Sequence, residues 1–349
     1  MNGKLVRPLV AVVLALSLGV AACGGDDNEG GGASSGGGSA DTQQKLRIGM
    51  VTDIGGLNDR SFNESAYKGL QRAQKELGAE IRVVTSKSNA DYVPNLSSLA
   101  RQKYDLVVAV GFLMAEATET VAKSFPQQKF AIIDSSAAAM KSKPQNVEGL
   151  LFAEQEAGYL VGYMAGLYVK DKGGKQVVSS VGGQKIPPVD HYIAGFQKGA
   201  TAANPKVKTL NAYSEDFVAQ DKCKELALNQ IGEGSQVVFQ VAGQCGLGAL
   251  DAAKQESVQG IGVDADQAYL GPQVMTSALK KIDEAVFKTI TEVQNDAFKG
   301  GQDTVFDVKS DGVGYGKTND VGAKYTDQVD AQKAKIASGK LANIPSEVQ

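Results

Sequence analysis

The chain has 349 residues, enough for about two domains, and at 42% hydrophobic and 21% charged its composition is globular. Lys and Arg number 36 against 39 Asp and Glu, so the net charge of −3 gives no footprint for nucleic acid or an anionic membrane surface. One histidine, His191, and three cysteines exclude a Cys/His zinc cluster and argue against a Ser-His-Asp or Cys-His catalytic centre.

Lys4 and Arg7 precede an apolar run over residues 9–20. A spanning helix needs about 20 apolar residues, so this run is a signal-peptide core. It ends in Val20-Ala21-Ala22-Cys23, which resembles a bacterial lipobox. In that motif the cysteine is lipidated and becomes the first residue of the mature chain; cleavage at an ordinary small-residue site is the other reading. Residues 1–22 are therefore expected to be a lipoprotein signal peptide and Cys23 a lipid anchor on the extracytoplasmic face of a cell membrane. Residues 23–44, rich in Gly and Ser with Asp26, Asp27 and Glu29, read as a flexible tether. With Cys23 so used, Cys223 and Cys245 remain. An exported protein sits where disulfides persist, so the two are expected to pair, the alternative being two separate buried thiols.

Downstream, short β-branched runs alternate with helical stretches. Strands are expected over 46–52, 81–85, 106–110, 130–134, 177–181, 207–213, 237–241, 260–264 and 274–279. Helices are expected over 62–77, 93–103, 114–124, 154–170, 189–203, 219–232, 247–256 and 280–298. Nearly continuous apolar strands imply burial on both faces, and regular alternation implies doubly wound parallel sheets. Two α/β lobes are expected, joined by several crossovers around an interlobe cleft. The first takes 45–153 plus about 270–300, the second 154–269 plus about 301–349. Gly158, Gly162 and Gly166 recur at every fourth residue of one helix, where another backbone can approach closely. The cleft is the expected ligand site, lined by loops at the carboxyl ends of the strands.

Four stretches at those strand ends carry chemistry. The first, VTDIGGLNDRSFNE, follows strand one. Ser61 is a natural N-cap with Glu64 at capping-box spacing. Phe62 beside Asn63, with Asp53 and Asn58 upstream, offers an aromatic face and hydrogen-bonding groups to a flat heterocycle. The second is the glycine loop around Gly243 after a strand containing Phe239, whose spacing is not that of a dinucleotide fingerprint; Phe239 is either a ligand-facing ring or core. The third is Asp264-Ala265-Asp266, two carboxylates suited to a sugar diol, with paired-carboxylate hydrolysis as the competing reading. Lys280 and Lys281 follow; one could neutralise a carboxylate or donate to ligand oxygens, or both are solvated. The fourth, Val110-Gly111-Phe112-Leu113-Met114-Ala115-Glu116, places Phe112 and Glu116 at a helix start, where Glu116 could accept hydrogen bonds from a base or offset the helix dipole.

Together VTDIGGLNDRSFNESAYKGL, FAEQEAGYLVGYMAGL, VGGQKIPPVDHYIAGFQKGA, VFQVAGQCGLGALDAAKQ and IGVDADQ resemble the basic membrane protein family, nucleoside-binding lipoproteins of bacterial ABC importers of the PnrA/TmpC type. The resemblance implies a type I periplasmic-binding-protein fold and a purine nucleoside held between lobes and passed to permease subunits. It further implies that Phe62 and Phe239 stack on the base, that Asp53 and Asn63 meet its polar edge, and that Asp264, helped by Lys280, holds the ribose hydroxyls. Glu116 stands where aspartate is common in the family, and Cys245 is a departure within the glycine loop. No cofactor or metal is implied, and a monomer is expected. The alternatives are a sugar or other small polar metabolite in the same fold, a nucleoside sensor without transport, or a nucleoside hydrolase.

Overall fold

The computed structural model describes residues 45–348; the signal peptide, Cys23 and the tether lie outside the described residues. Twelve strands form two sheets: β1 (Arg47–Val51), β2 (Glu80–Val84), β3 (Leu106–Ala109), β4 (Phe130–Ile133), β5 (Val147–Phe152), β6 (Val177–Gly182), β7 (Lys208–Tyr213), β8 (Ser235–Val241), β9 (Gln259–Asp264), β10 (Val274–Lys280), β11 (Asp303–Phe306) and β12 (Val313–Tyr315). The first sheet runs β11-β5-β4-β3-β1-β2, the second β12-β10-β9-β8-β6-β7. All pairings are parallel except β12 against β10. Helices connect the strands: α1 (Phe62–Glu76), α2 (Tyr92–Arg101), α3 (Ala115–Ser124), α4 (Glu154–Lys172), α5 (Pro187–Ala203), α6 (Gln220–Gly232), α7 (Gly246–Gln255), α8 (Ile282–Gln294) and α9 (Thr326–Ala337).

The chain passes between lobes three times, from β5 into α4, from β10 into α8, and from β11 into β12. The late chain divides otherwise than its spacing suggested. Of residues 270–300, β10 belongs to the second sheet, and α8, packed on α1, is the part that returns to the first lobe. β11 completes the first sheet, while β12 and α9 lie with the second lobe. β5 was absent from the expected strands because Glu148 and Gly149 interrupt its apolar run. Glu148 is nonetheless fully buried, accepting a hydrogen bond from Thr304 Oγ1 on β11 at 2.7 Å.

The glycine stripe has a direct physical reason. A Cβ on Gly158, Gly162 or Gly166 of α4 would collide with the backbone of Tyr192, Phe196 or Ala200 on α5, and Gly195 and Gly199 of α5 meet α4 in the same way. The two helices thus touch backbone to backbone on the second sheet. Gly162→Ala is expected to cost about 2 kcal/mol, the scale of an overpacked core. A chemical-denaturation midpoint within error of wild type would contradict that packing.

Candidate functional site

The cleft opens where the carboxyl ends of β1, β3 and β4 face those of β6, β8, β9 and β10, as expected for ligand sites in open α/β sheets. Its empty space, open solvent at the mouth included, is about 630 Å³.

On the first-lobe side, the loop after β1 organises itself around Asp59. Its carboxylate accepts the backbone N–H groups of Ser61 (3.1 Å), Asn63 (2.7 Å) and Glu64 (3.1 Å) and the Asn63 amide (3.1 Å). Asp59 therefore caps α1, and the expected Ser61–Glu64 box does not form. Ser61 instead donates across the cleft to Asp264 Oδ2 at 2.7 Å. Asn63 Oδ1 accepts the N–H of Asp53 at 2.9 Å, and the Tyr92 hydroxyl donates to the Asp53 carboxylate. Burial raises the pKa of both Asp53 and Asp59 above the ordinary carboxylate value. Gly111, at φ +122°, makes room: a Cβ there would lie 2.8 Å from Asp53 Oδ2 and 3.3 Å from Phe62 Cε1.

On the second-lobe side, Asp264 ends β9 in the left-handed region (φ 60°). It accepts from Ser61 and, at 3.3 Å, from the Tyr192 hydroxyl, and burial pushes its pKa up. Lys280, the last residue of β10, is 3% exposed. Its Nζ lies 2.6 Å from Asp134 Oδ1 and 2.9 Å from Glu154 Oε1, and 4.9 Å and 5.3 Å from the ring centres of Phe152 and Phe62. Burial pulls the Lys280 pKa down, but the carboxylates of Asp134 and Glu154 outweigh it and hold the ammonium charged. Glu154 Oε2 also meets His191 Nδ1 at 3.2 Å. Lys281 points away, half exposed and paired with Asp311.

Of the residues singled out from sequence, Asp53, Phe62, Asn63, Phe112, Gly243, Asp264 and Lys280 line this cavity together. Four do not. Phe239 is 0% exposed, packed against Phe196 (5.1 Å between ring centres) and Tyr192 (6.1 Å), because it points into the helix-covered face of its strand. Asn58 is exposed and lines a separate surface groove with Arg60 and Gln220. Glu116 lies on the exposed face of α3. Asp266 holds its own loop, accepting the Ala268 N–H at 3.1 Å. The second-lobe ring at the cavity is Phe217, in the segment between β7 and α6. Asp59, Asp134, Tyr192 and Gln244 also line it. Asp134 follows an apolar strand just as Asp53 and Asp264 do, a repeated signal readable in the sequence. Among the described residues no group of three or more His, Cys, Asp or Glu side chains is placed to hold a metal ion.

Two doubly wound lobes, three crossovers and a cavity at the strand ends define a solute-binding protein of the type I fold. The chain belongs to the Bmp family: the family model described as ABC transporter substrate-binding protein PnrA-like matches residues 46–346. Its relatives include a lipoprotein of Pyrococcus furiosus, 36% identical over 284 residues that cover 78% of this chain and 70% of the relative. An ABC transporter nucleoside-binding protein, BmpA, of Lactococcus lactis is 32% identical over 330 residues, 88% of this chain and 91% of the relative. A solved solute-binding protein of an ABC transporter system from Aeropyrum pernix superposes with a TM-score of 0.78 at 28% identity, covering 86% of this chain and 94% of that one. The family is one of substrate-binding proteins rather than enzymes. Among the described residues no helix is long and apolar enough to cross a membrane.

Proposed function

We propose that the protein is the extracytoplasmic receptor of an importer, anchored through lipidated Cys23, that binds a purine nucleoside between its lobes and presents it to permease subunits. The observation that carries this reading is the composition of the cavity. Aromatic rings come from both lobes, Phe62 and Phe217, alongside a buried carboxylate on each side. Rings suit a flat base, and stacking contributes roughly 1–3 kcal/mol per base with little regard to its identity. Asp53 and Asn63 lie beside Phe62, where the polar edge of a base would sit. Asp264 has accepted two hydrogen bonds, from Ser61 and Tyr192. A carboxylate offers about four lone-pair sites, so capacity is left for a ribose diol. Two stacks and a charged diol contact together approach the roughly 8 kcal/mol of micromolar binding. The nucleoside-binding relative from Lactococcus lactis supports the same ligand class.

Calorimetric titration of protein refolded to strip carried-over ligand tests this. Guanosine, inosine and adenosine are expected to bind far more tightly than uridine, guanine or ribose. Asp264→Ala is expected to weaken guanosine at least tenfold, about 1.4 kcal/mol, while leaving guanine nearly unaffected. Equal losses for both would refute the diol role, and tight ribose binding alone would replace the nucleoside with a sugar.

A further inference from the structure

Phe217, half-buried at the edge of the main core, reaches the cavity from the segment between β7 and α6. Residues 214–219 leave β7, an edge strand of the second sheet, and enter α6, which buries only Cys223, Ala227 and Gln230. Val218 is exposed and extends over the cleft to Gly55 of the first lobe; a Cβ on that glycine would lie 3.9 Å from Val218 Cγ2. The cluster beneath α6 and α7 is made of small residues, Ala227, Ala242, Ala249 and Ala252 with Val181 and Val238. Its buried centre thus contributes little area per residue, with Leu226, Leu228, Ile231 and Val258 packed at its edge.

One covalent bond lies in the middle of that cluster. Cys223, in the opening turns of α6, and Cys245, directly before α7, form a disulfide with Cα atoms 5.6 Å apart. Cys245 N donates to the carbonyl of Phe217 at 3.0 Å. Gly243 and Gln244, the two residues before Cys245, line the cavity themselves. The same bond thus ties two of the second-lobe loops that line the cavity. Asp216 completes the attachment, accepting the N–H groups of Val218 (2.8 Å) and Ala219 (3.0 Å) and pairing with Lys222; these donors hold its carboxyl down to about 2.

We infer that the Cys223–Cys245 disulfide is a positioning device for binding, holding Phe217 and the Gly243–Gln244 loop in their cavity-facing arrangement independently of ligand. Its contribution is preorganisation: ordering of this wall is removed from the cost of association. The ligand used to test it rests on the nucleoside reading above, but the first measurement does not.

The first measurement is hydrogen exchange of the full protein without ligand, wild type against Cys223→Ser/Cys245→Ser. Amides over 214–224 and 243–248 are expected to exchange about tenfold faster or more, with first-lobe amides unchanged, since local opening is drawn from the least supported segments. Cys223→Ala/Cys245→Ala, matched to the alanines around it, is the second variant and is expected to behave alike. The second measurement is guanosine dissociation, expected to quicken about tenfold in either double variant. In a Phe217→Ala background, loss of the disulfide is expected to change guanosine affinity clearly less than it does in wild type, because the ring is gone and only the Gly243–Gln244 loop remains to be positioned. Unchanged exchange, faster exchange spread over both lobes, or full additivity with Phe217→Ala would each overturn the inference. Should oxidised wild type bind no nucleoside, the nucleoside reading falls and the exchange measurement decides the positioning role alone.

Discussion

Lys280→Met is expected to lower the unfolding free energy by about 3–5 kcal/mol, because removing one partner of a buried ion cluster leaves the others charged and uncompensated. Asp134 and Glu154 are both buried against Nζ, and among the described residues no other lysine or arginine pairs with either. For a chain of this size the melting temperature should fall by about 10 °C. The deficit has a defined pH dependence. Burial pushes the Asp134 carboxyl up, to about 7, even against the pull of Lys280. Without the lysine it rises further, so the folded state binds a proton that the unfolded state, near 3.8, does not. Wild type takes up the same proton only near 7, so stability of the variant relative to wild type should recover as pH falls through the alkaline range to about 7, and Asp134 should add no further recovery below that. Adding Asp134→Asn should restore part of the loss at alkaline pH, where the unpaired carboxyl would otherwise ionise. A melting temperature within about 2 °C of wild type would show that the cluster contributes nothing to the fold.

Phe217→Ala and Phe239→Ala are expected to separate binding from folding. Phe239 is sealed between Phe196 and Tyr192, so truncation leaves a cavity and should cost about 3–5 kcal/mol of stability. Phe217 is only half-buried and lines the cleft, so its truncation should leave stability within about 1 kcal/mol. It should nonetheless weaken guanosine at least tenfold, about 1.4 kcal/mol. Thermal melts and titrations on the two variants check both halves. The reverse pattern would return Phe239 to the ligand and Phe217 to the scaffold.

The exchange of one phenylalanine for another shows where sequence reasoning stops. In a parallel sheet covered on both faces, both sides of β8 are buried, Gln240 as fully as Phe239, so burial alone does not say which side chain faces a ligand. Phe217 was the more legible of the two, a lone aromatic in the polar run Ser214-Glu215-Asp216 after a strand. The βα alternation, and with it the two lobes, was readable because each element has its own local period. The ion cluster was not. Lys280 meets partners 146 and 126 positions away, and only the crossovers bring those strand ends together. The cap of α1 fell between these cases. Ser61 and Asp59 are both good capping types, and the choice was settled by Asp264, which draws the serine hydroxyl across the cleft.

The cavity wall also acts as an electrostatic filter. Asp53, Asp59, Asp134 and Asp264 face it, and among the described lining residues Lys280 is the one cation, already committed to Asp134 and Glu154. A solute bearing a phosphate would enter a desolvated space with no free positive charge and several carboxylates, where like-charge contact costs several kcal/mol. On the nucleoside reading proposed above, such a wall is expected to reject nucleotides while admitting the uncharged nucleosides they yield. An importer served by such a receptor would then draw on material whose phosphate has been removed before capture.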